Sequence, residues 1–135
     1  YGGKCYGNKE LSILHLGSGG GGGYYEDGYS GGGSLKIICN QLIINKFCGI
    51  YCNGDSNSRI CYGGGGSGGS IYIISNKLIN YGYIMAKGGM SYHSGGNGRI
   101  RIDCKYIISS KGHIKPNIGY NKELPKPSLI KMRSS

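Results

Sequence analysis

A segment of roughly thirty residues recurs three times along this chain, and such a recurrence constrains a fold more than any single motif. The three copies cover residues 32–54, 68–88 and 97–117. Each copy is predicted to hold two or three short strands separated by glycine or asparagine. Two sets of positions align the copies: Leu35, Ile71 and Ile100, then Ile50, Ile84 and Ile114. Their spacings of 36 and 29 residues, and of 34 and 30, make the repeat irregular.

Apolar and polar residues alternate within each copy, which is the period of a β-strand. In the first copy Leu35 and Ile37 share one face, and Lys36 points to the other. No copy has enough apolar surface to fold alone, so the copies must stack and bury their isoleucine faces together. The sequence therefore predicts an all-β fold: a short glycine-rich parallel β-helix, or solenoid, of about three to four rungs.

Stacking would bring three outward-facing side chains into one vertical row. These are Lys36, Tyr72 and Arg101, which occupy the same phase in successive copies. An aromatic ring between two cations suits contact with another molecule. We therefore predict that this row is a contact surface.

Other positions refine the predicted stack. Asn40 and Asn76 are equivalent, and asparagine suits corners and can form side-chain ladders between rungs. Leu11–Leu16 is a candidate for a degenerate earlier copy. Phe47-Cys48 reads as a two-residue insertion in the first copy.

Glycine accounts for 29 of the 135 residues, about three times its average share. Alanine occurs once, so a helical bundle is excluded. Only three prolines are present and glycine comes in clusters, which excludes collagen. No apolar run approaches the roughly 20 residues of a membrane span.

The glycine clusters lie between the predicted strands at matching phases, and three structures are open to them. They could form ordered turns, because glycine permits positive φ and close backbone approach. They could be flexible linkers, or a bundle of extended polyproline-II-like segments over the sheet. Their recurrence in register with the strands favours ordered turns.

The charge balance is strongly basic, with 16 Lys and Arg against six Asp and Glu, a net charge of +10. A solvated surface rich in Lys and Arg would explain this positive charge, and so would a polyanionic partner such as an acidic glycan. Thirteen tyrosines are also present, several of them in glycine loops. They could shield the glycine backbone or form an interface.

Six cysteines are disulfide candidates, and an even number in a loop-rich chain is typical of an oxidising compartment. They are Cys5, Cys39, Cys48, Cys52, Cys61 and Cys104. Cys48, Cys52 and Cys61 belong to one copy and are expected to yield a local pair. Direct pairing of Cys39 with Cys104 is not expected, because the Ser75 rung separates them. No second pair complements Cys48 and Cys52, so neither a zinc site nor any other cofactor is predicted.

Catalytic chemistry has no candidate constellation in this sequence. Glycosidases need two carboxylates about 5–9.5 Å apart, whereas Glu26 and Asp27 are adjacent and Asp55 lies in a polar loop. Asp103 is flanked by Arg99 and Arg101, where a local ion pair explains it. We predict that the protein is not an enzyme.

Three strings carry a resemblance to a known kind of module: Gly63 to Ile73, Gly82 to Gly89, and Gly98 to Ile102. They resemble a glycine-rich β-helical repeat of large surface or multidomain proteins, over roughly residues 11–119. The resemblance implies a scaffold or adhesive role and brings no catalytic residues. Pro116 departs from the pattern, because it replaces the small residue at Ala86.

We therefore expect a solenoid domain over 1–119 and an extended arm or linker over 120–135, which holds two of the three prolines. The chain begins at Tyr1, which suggests a processed product or a piece of a larger protein. The first functional hypothesis is a structural module that associates with itself or with other proteins at a cell, virion or extracellular surface. The second is a polyanion- or glycan-binding module, and a polysaccharide-active enzyme is a distant third.

Overall fold

The structure is a computed structural model, and it describes residues 11–56, 62–109 and 112–115. This part of the chain contains strands and no helix. The strands are β1 (Ser34–Ile44), β2 (Gly49–Tyr51), β3 (Ser70–Asn80), β4 (Tyr83–Met85), β5 (Arg99–Ser109) and β6 (His113–Lys115). Each copy therefore contributes one long strand and one short strand, so the all-β prediction is confirmed.

The strands form two small parallel sheets, ordered β1-β3-β5 and β2-β4-β6. Leu35 pairs with Ile71 and Ile71 with Ile100 in the first sheet. Ile50 pairs with Ile84 and Ile84 with Ile114 in the second. The alignment read from the sequence is therefore the pairing register, because a one-residue slip would turn every isoleucine away from the core.

The core lies between the two sheets, and the middle copy is its centre. Ile71, Ile73 and Ile84 are fully buried, because other copies pack on both sides of them. Ile100 and Ile102 of the third copy are also buried. In the first copy Ile37, Leu42 and Ile50 only pack partly against this cluster.

The pairing of β1 with β3, and of β3 with β5, is interrupted at equivalent positions. Regular pairing covers the residues before and after Asn40 and Asn76 but leaves these two out. The Asn76 Nδ2 donates to Asn40 Oδ1 at 2.7 Å, which is the ladder expected at a corner.

The turn between the long and short strands differs between copies. Four residues join β1 to β2, whereas Tyr81 and Gly82 alone join β3 to β4. The two extra residues predicted at Phe47-Cys48 lie in the longer turn, where Phe47 adopts a left-handed φ of 67°. The segment Leu11–Leu16 forms no strand, so it does not supply a fourth set of paired strands.

The glycine-rich stretches are extended segments that lie side by side. The segment 63–70 is the most enclosed, with neighbours at 17–21, 28–33, 52–55, 86–89 and 93–98. Successive N–H groups from Gly64 onward donate in turn to the segments 17–21, 93–96 and 52–55, and the cycle then repeats. Three residues per turn without internal hydrogen bonds is the geometry of polyproline II. We call this set of segments the glycine bundle.

The prediction of glycine turns is corrected by this geometry, which is that of the third alternative. None of the glycines in the described residues has φ in the left-handed region. A Cβ atom added at Gly20, Gly28 or Gly66 would instead come within 3.0 Å of a neighbouring backbone. These glycines are required for close approach between backbone segments, and not for reversal of the chain.

Candidate interaction surfaces

The predicted row of Lys36, Tyr72 and Arg101 exists as a geometric feature. Tyr72 pairs with Lys36 on one side and with Arg101 on the other. The Lys36 Nζ lies 5.3 Å from the centroid of the Tyr72 ring, and the Arg101 Cζ lies 4.8 Å from it. The ring is thus held between two cations, an arrangement stabilised by the quadrupole of the aromatic face.

Asp103 neutralises part of this row. Its carboxylate forms an ion pair with Arg101 at 2.9 Å and accepts a hydrogen bond of 2.7 Å from the Tyr72 hydroxyl. Asp103 is buried, so these partners offset the cost of removing its charge from water. The local ion pair expected for Asp103 is confirmed.

A second column of side chains was not singled out from the sequence. Tyr83 stacks on Tyr51 with ring centroids 6.5 Å apart, and on His113 with centroids 5.4 Å apart. Gly49 occupies the equivalent position in the first copy. The Tyr51 ring covers Gly49 so closely that a Cβ atom added there would lie 2.6 Å from the ring atoms. The available signal was the equivalence of Tyr83 and His113, each of which precedes an aligned isoleucine.

The first copy exposes a set of large apolar side chains along β1, β2 and their connecting turn. We call this set the β1 end. The exposed fractions are 38% for Leu35, 70% for Ile38, 50% for Ile43, 83% for Phe47 and 53% for Tyr51. β1 is also an outer strand of its sheet, and no strand in the described residues pairs with its free edge. Long apolar edges of this kind promote pairing with another chain.

Tyrosines of the glycine bundle lie mainly on its surface. Tyr24 and Tyr25 form the bend that reverses the chain between Gly23 and Glu26, and both are strongly exposed. Tyr62 and Tyr92 approach each other with centroids 6.5 Å apart and are exposed too. Their exposure favours the interface interpretation over the shielding one for these four side chains.

Disulfides do not support the part of the protein that the structure describes. Cys39, Cys48, Cys52 and Cys104 are free thiols, and Cys5 and Cys61 lie outside the described residues. Cys48 and Cys52 flank the extended strand β2, which separates their Cα atoms by about 13 Å, beyond the reach of a disulfide. Of the local pairs predicted among Cys48, Cys52 and Cys61, this spacing excludes the one between Cys48 and Cys52, and the pairs with Cys61 lie outside the described residues. Cys39 and Cys104 are separated by Ser75, as expected, at about two strand spacings.

Metal ligands are not clustered within the residues that the structure covers. Those residues also include no helix with the length and hydrophobicity that crossing a membrane requires. Glu26, Asp27 and Asp55 are exposed, and one Asp55 oxygen accepts the Ser56 N–H. The arm predicted over 120–135, and Pro116 before it, lie outside the described residues.

Comparisons of the chain with protein-family models, with curated proteins and with solved structures give no match.

Proposed function

We propose that this protein is a non-enzymatic structural module that assembles with copies of itself or with other proteins. Within this proposal the fold is a short parallel β-solenoid whose rungs are the three copies. The parallel register of both sheets and the columns of isoleucine support it.

The observation that carries the proposal is the β1 end. The exposed side chains of Ile38 and Ile43 offer apolar contacts to another polypeptide, and the free backbone edge of β1 offers hydrogen-bond partners. A monomeric soluble protein usually protects such an edge with charged side chains or proline. β1 contains one charged residue, Lys36, and no proline.

The resemblance to glycine-rich β-helical repeats is part of the proposal, and it implies a scaffold or adhesive role. Under this proposal the protein acts at a cell, virion or extracellular surface. The glycine bundle supports a scaffold, because backbone hydrogen bonds in several directions make a stiff unit from small residues.

Light scattering and electron microscopy of the full chain test the proposal. We expect association that increases with protein concentration. A protein that stays strictly monomeric at high concentration, and that is purified without a partner, would contradict it.

A second candidate function is binding of an acidic glycan or another polyanion, which the basic strands favour. Strands β1, β3 and β5 carry five Lys and Arg residues and one carboxylate. Retention on immobilised heparin should fall with added salt. Lys36→Gln and Arg101→Gln, as separate variants, should each elute at lower salt, whereas Lys46→Gln, which removes one charge in the turn after β1, is the matched control. Failure of the wild type to bind at low salt rejects this candidate.

A further inference from the structure

We propose that the β1 end binds the β1 end of a second copy of this chain, so that two molecules meet about a two-fold axis and form a closed dimer. This inference rests on the proposed function and specifies its partner and its surface. It depends on a difference between the two ends of the stack of strands.

The first difference is in apolar surface. Five large apolar side chains are exposed in the first copy, at the β1 end. In the third copy Ile100 and Ile102 are buried, and Tyr106 is the one large apolar side chain exposed among the described side chains of β5 and β6. Among the described side chains, those of the β1 end therefore gain more from being removed from water, at about 25 cal/mol for each Å² of apolar surface.

The second difference is in charge. β5 carries Arg99, Arg101, Asp103 and Lys105, whereas β1 carries Lys36 alone. Charged side chains along an edge are a common protection against pairing with another strand. The third copy thus has the features of an edge that stays in water, and the first copy does not.

Head-to-tail stacking is disfavoured by the charges of the row that contains Lys36, Tyr72 and Arg101. If β5 of one copy paired with β1 of the next in the internal register, Arg101 would lie beside Lys36 of the neighbour. Adjacent parallel strands are about 4.8 Å apart, and like charges directly opposite each other are destabilising. A head-to-tail contact would also repeat without closing and would produce filaments.

Contact between two β1 ends avoids both problems. A two-fold axis brings the same patch of each molecule together, and the two β1 edges then run antiparallel, which permits backbone hydrogen bonds. Ile38 and Ile43 of each molecule become partly covered, as their equivalents Ile74 and Ile79 are in the central strand β3. Association stops at two, because each molecule has one β1 end.

Sedimentation velocity of the full chain over a range of concentrations tests this inference. We expect a monomer–dimer equilibrium with no larger species. The double variant Ile38→Lys, Ile43→Lys should dissociate at least about tenfold more readily, since tenfold corresponds to only about 1.4 kcal/mol. Tyr106→Lys places one lysine on an exposed position of β5, which matches either single substitution in charge, and it should leave the dimer unchanged. Circular dichroism and thermal unfolding show that each variant retains its fold.

The remaining outcomes separate this inference from the proposed function. A dimer that persists in the double variant overturns the inference and leaves the proposed function standing. A series of growing oligomers that Tyr106→Lys disrupts indicates head-to-tail stacking, and overturns the inference in the same way. A wild type that is monomeric and without a partner at all concentrations overturns both.

Discussion

The strands and the glycine bundle satisfy their backbone groups in the same way, through hydrogen bonds to neighbouring segments, but they use side chains oppositely. In the strands, Ile71 and Ile73 fill the space between sheets and supply the hydrophobic stabilisation. In the bundle, Gly66 leaves no space to fill, because the backbone of Ser30 occupies the position of its Cβ. A strand bonds to two neighbours in one plane, whereas the segment 63–70 bonds to neighbours all around it. The strands are therefore stabilised by the packing of their side chains. The glycine bundle is stabilised by close contact between backbones, which the absence of side chains permits.

The largest effect on stability is expected in the glycine bundle, where the absence of side chains permits close contact between backbones. We expect Gly66→Ala to destabilise the protein by roughly 3 kcal/mol or more, because the new methyl group would force backbone segments apart. Chemical denaturation of the purified variant measures the change. Gly96→Ala is the matched control, since a Cβ there meets no atom within 4 Å. Its effect should stay within about 0.5 kcal/mol. Equal stability of the two variants would show that the bundle is not packed in solution.

The next prediction tests the strand region by comparing two positions in one apolar column. Ile71→Ala should cost about 3–4 kcal/mol, because it leaves a cavity in the centre of the core. Leu35→Ala, one copy earlier, should cost about 1 kcal/mol, since Leu35 is partly exposed. Thermal and urea unfolding at low protein concentration measure both. Equal losses would mean that Leu35 is covered in solution.

A smaller effect is expected in the cationic row. Tyr72→Phe removes the hydroxyl that donates to Asp103 but keeps the ring between Lys36 and Arg101. The free energy of unfolding should fall by about 1.5 kcal/mol, a value typical of a hydrogen bond to a charged group. Tyr106→Phe, at an exposed position, should leave it unchanged. A similar loss in both variants would argue against the Asp103 contact.

The smallest effect concerns the thiols. Burial raises the pKa of the Cys52 thiol above its ordinary value, so the folded protein favours the neutral form. The stability that this provides is complete below the ordinary thiol pKa and is lost as the pH rises through the raised one. Cys52→Ala should reduce the alkaline loss of stability. In the wild type, iodoacetamide should modify the exposed Cys48 well before Cys52. Simultaneous modification of both would contradict the burial of Cys52.

The strand register was predictable from the sequence in detail. Leu35, Ile71 and Ile100 align by pattern alone, because a period of two fixes which face of each strand is apolar. The row of Lys36, Tyr72 and Arg101 follows from that alignment, and so does the ladder of Asn40 and Asn76. Its use as a contact surface stays a prediction.

The glycine bundle and the aromatic column were not predictable to the same degree. A run such as Gly63 to Gly66 has no side-chain pattern, so its hydrogen-bond partners cannot be read from it. Tyr51 reaches its column by folding back over Gly49, two residues earlier, which no alignment of equivalent positions would suggest. The cysteine count pointed to disulfides, yet strand spacing keeps the described thiols apart.

The sequence by itself determined that this chain consists of strands, that its copies stack in parallel, and which isoleucines meet in the core. It could do so because side-chain alternation is a local property that repeats. Only the tertiary structure decided what glycine does here, since close approach is a relation between segments that are distant along the chain. It also decided that the two ends differ: Leu35 and Ile100 belong to one apolar column, but Ile100 is buried and Leu35 is left partly exposed.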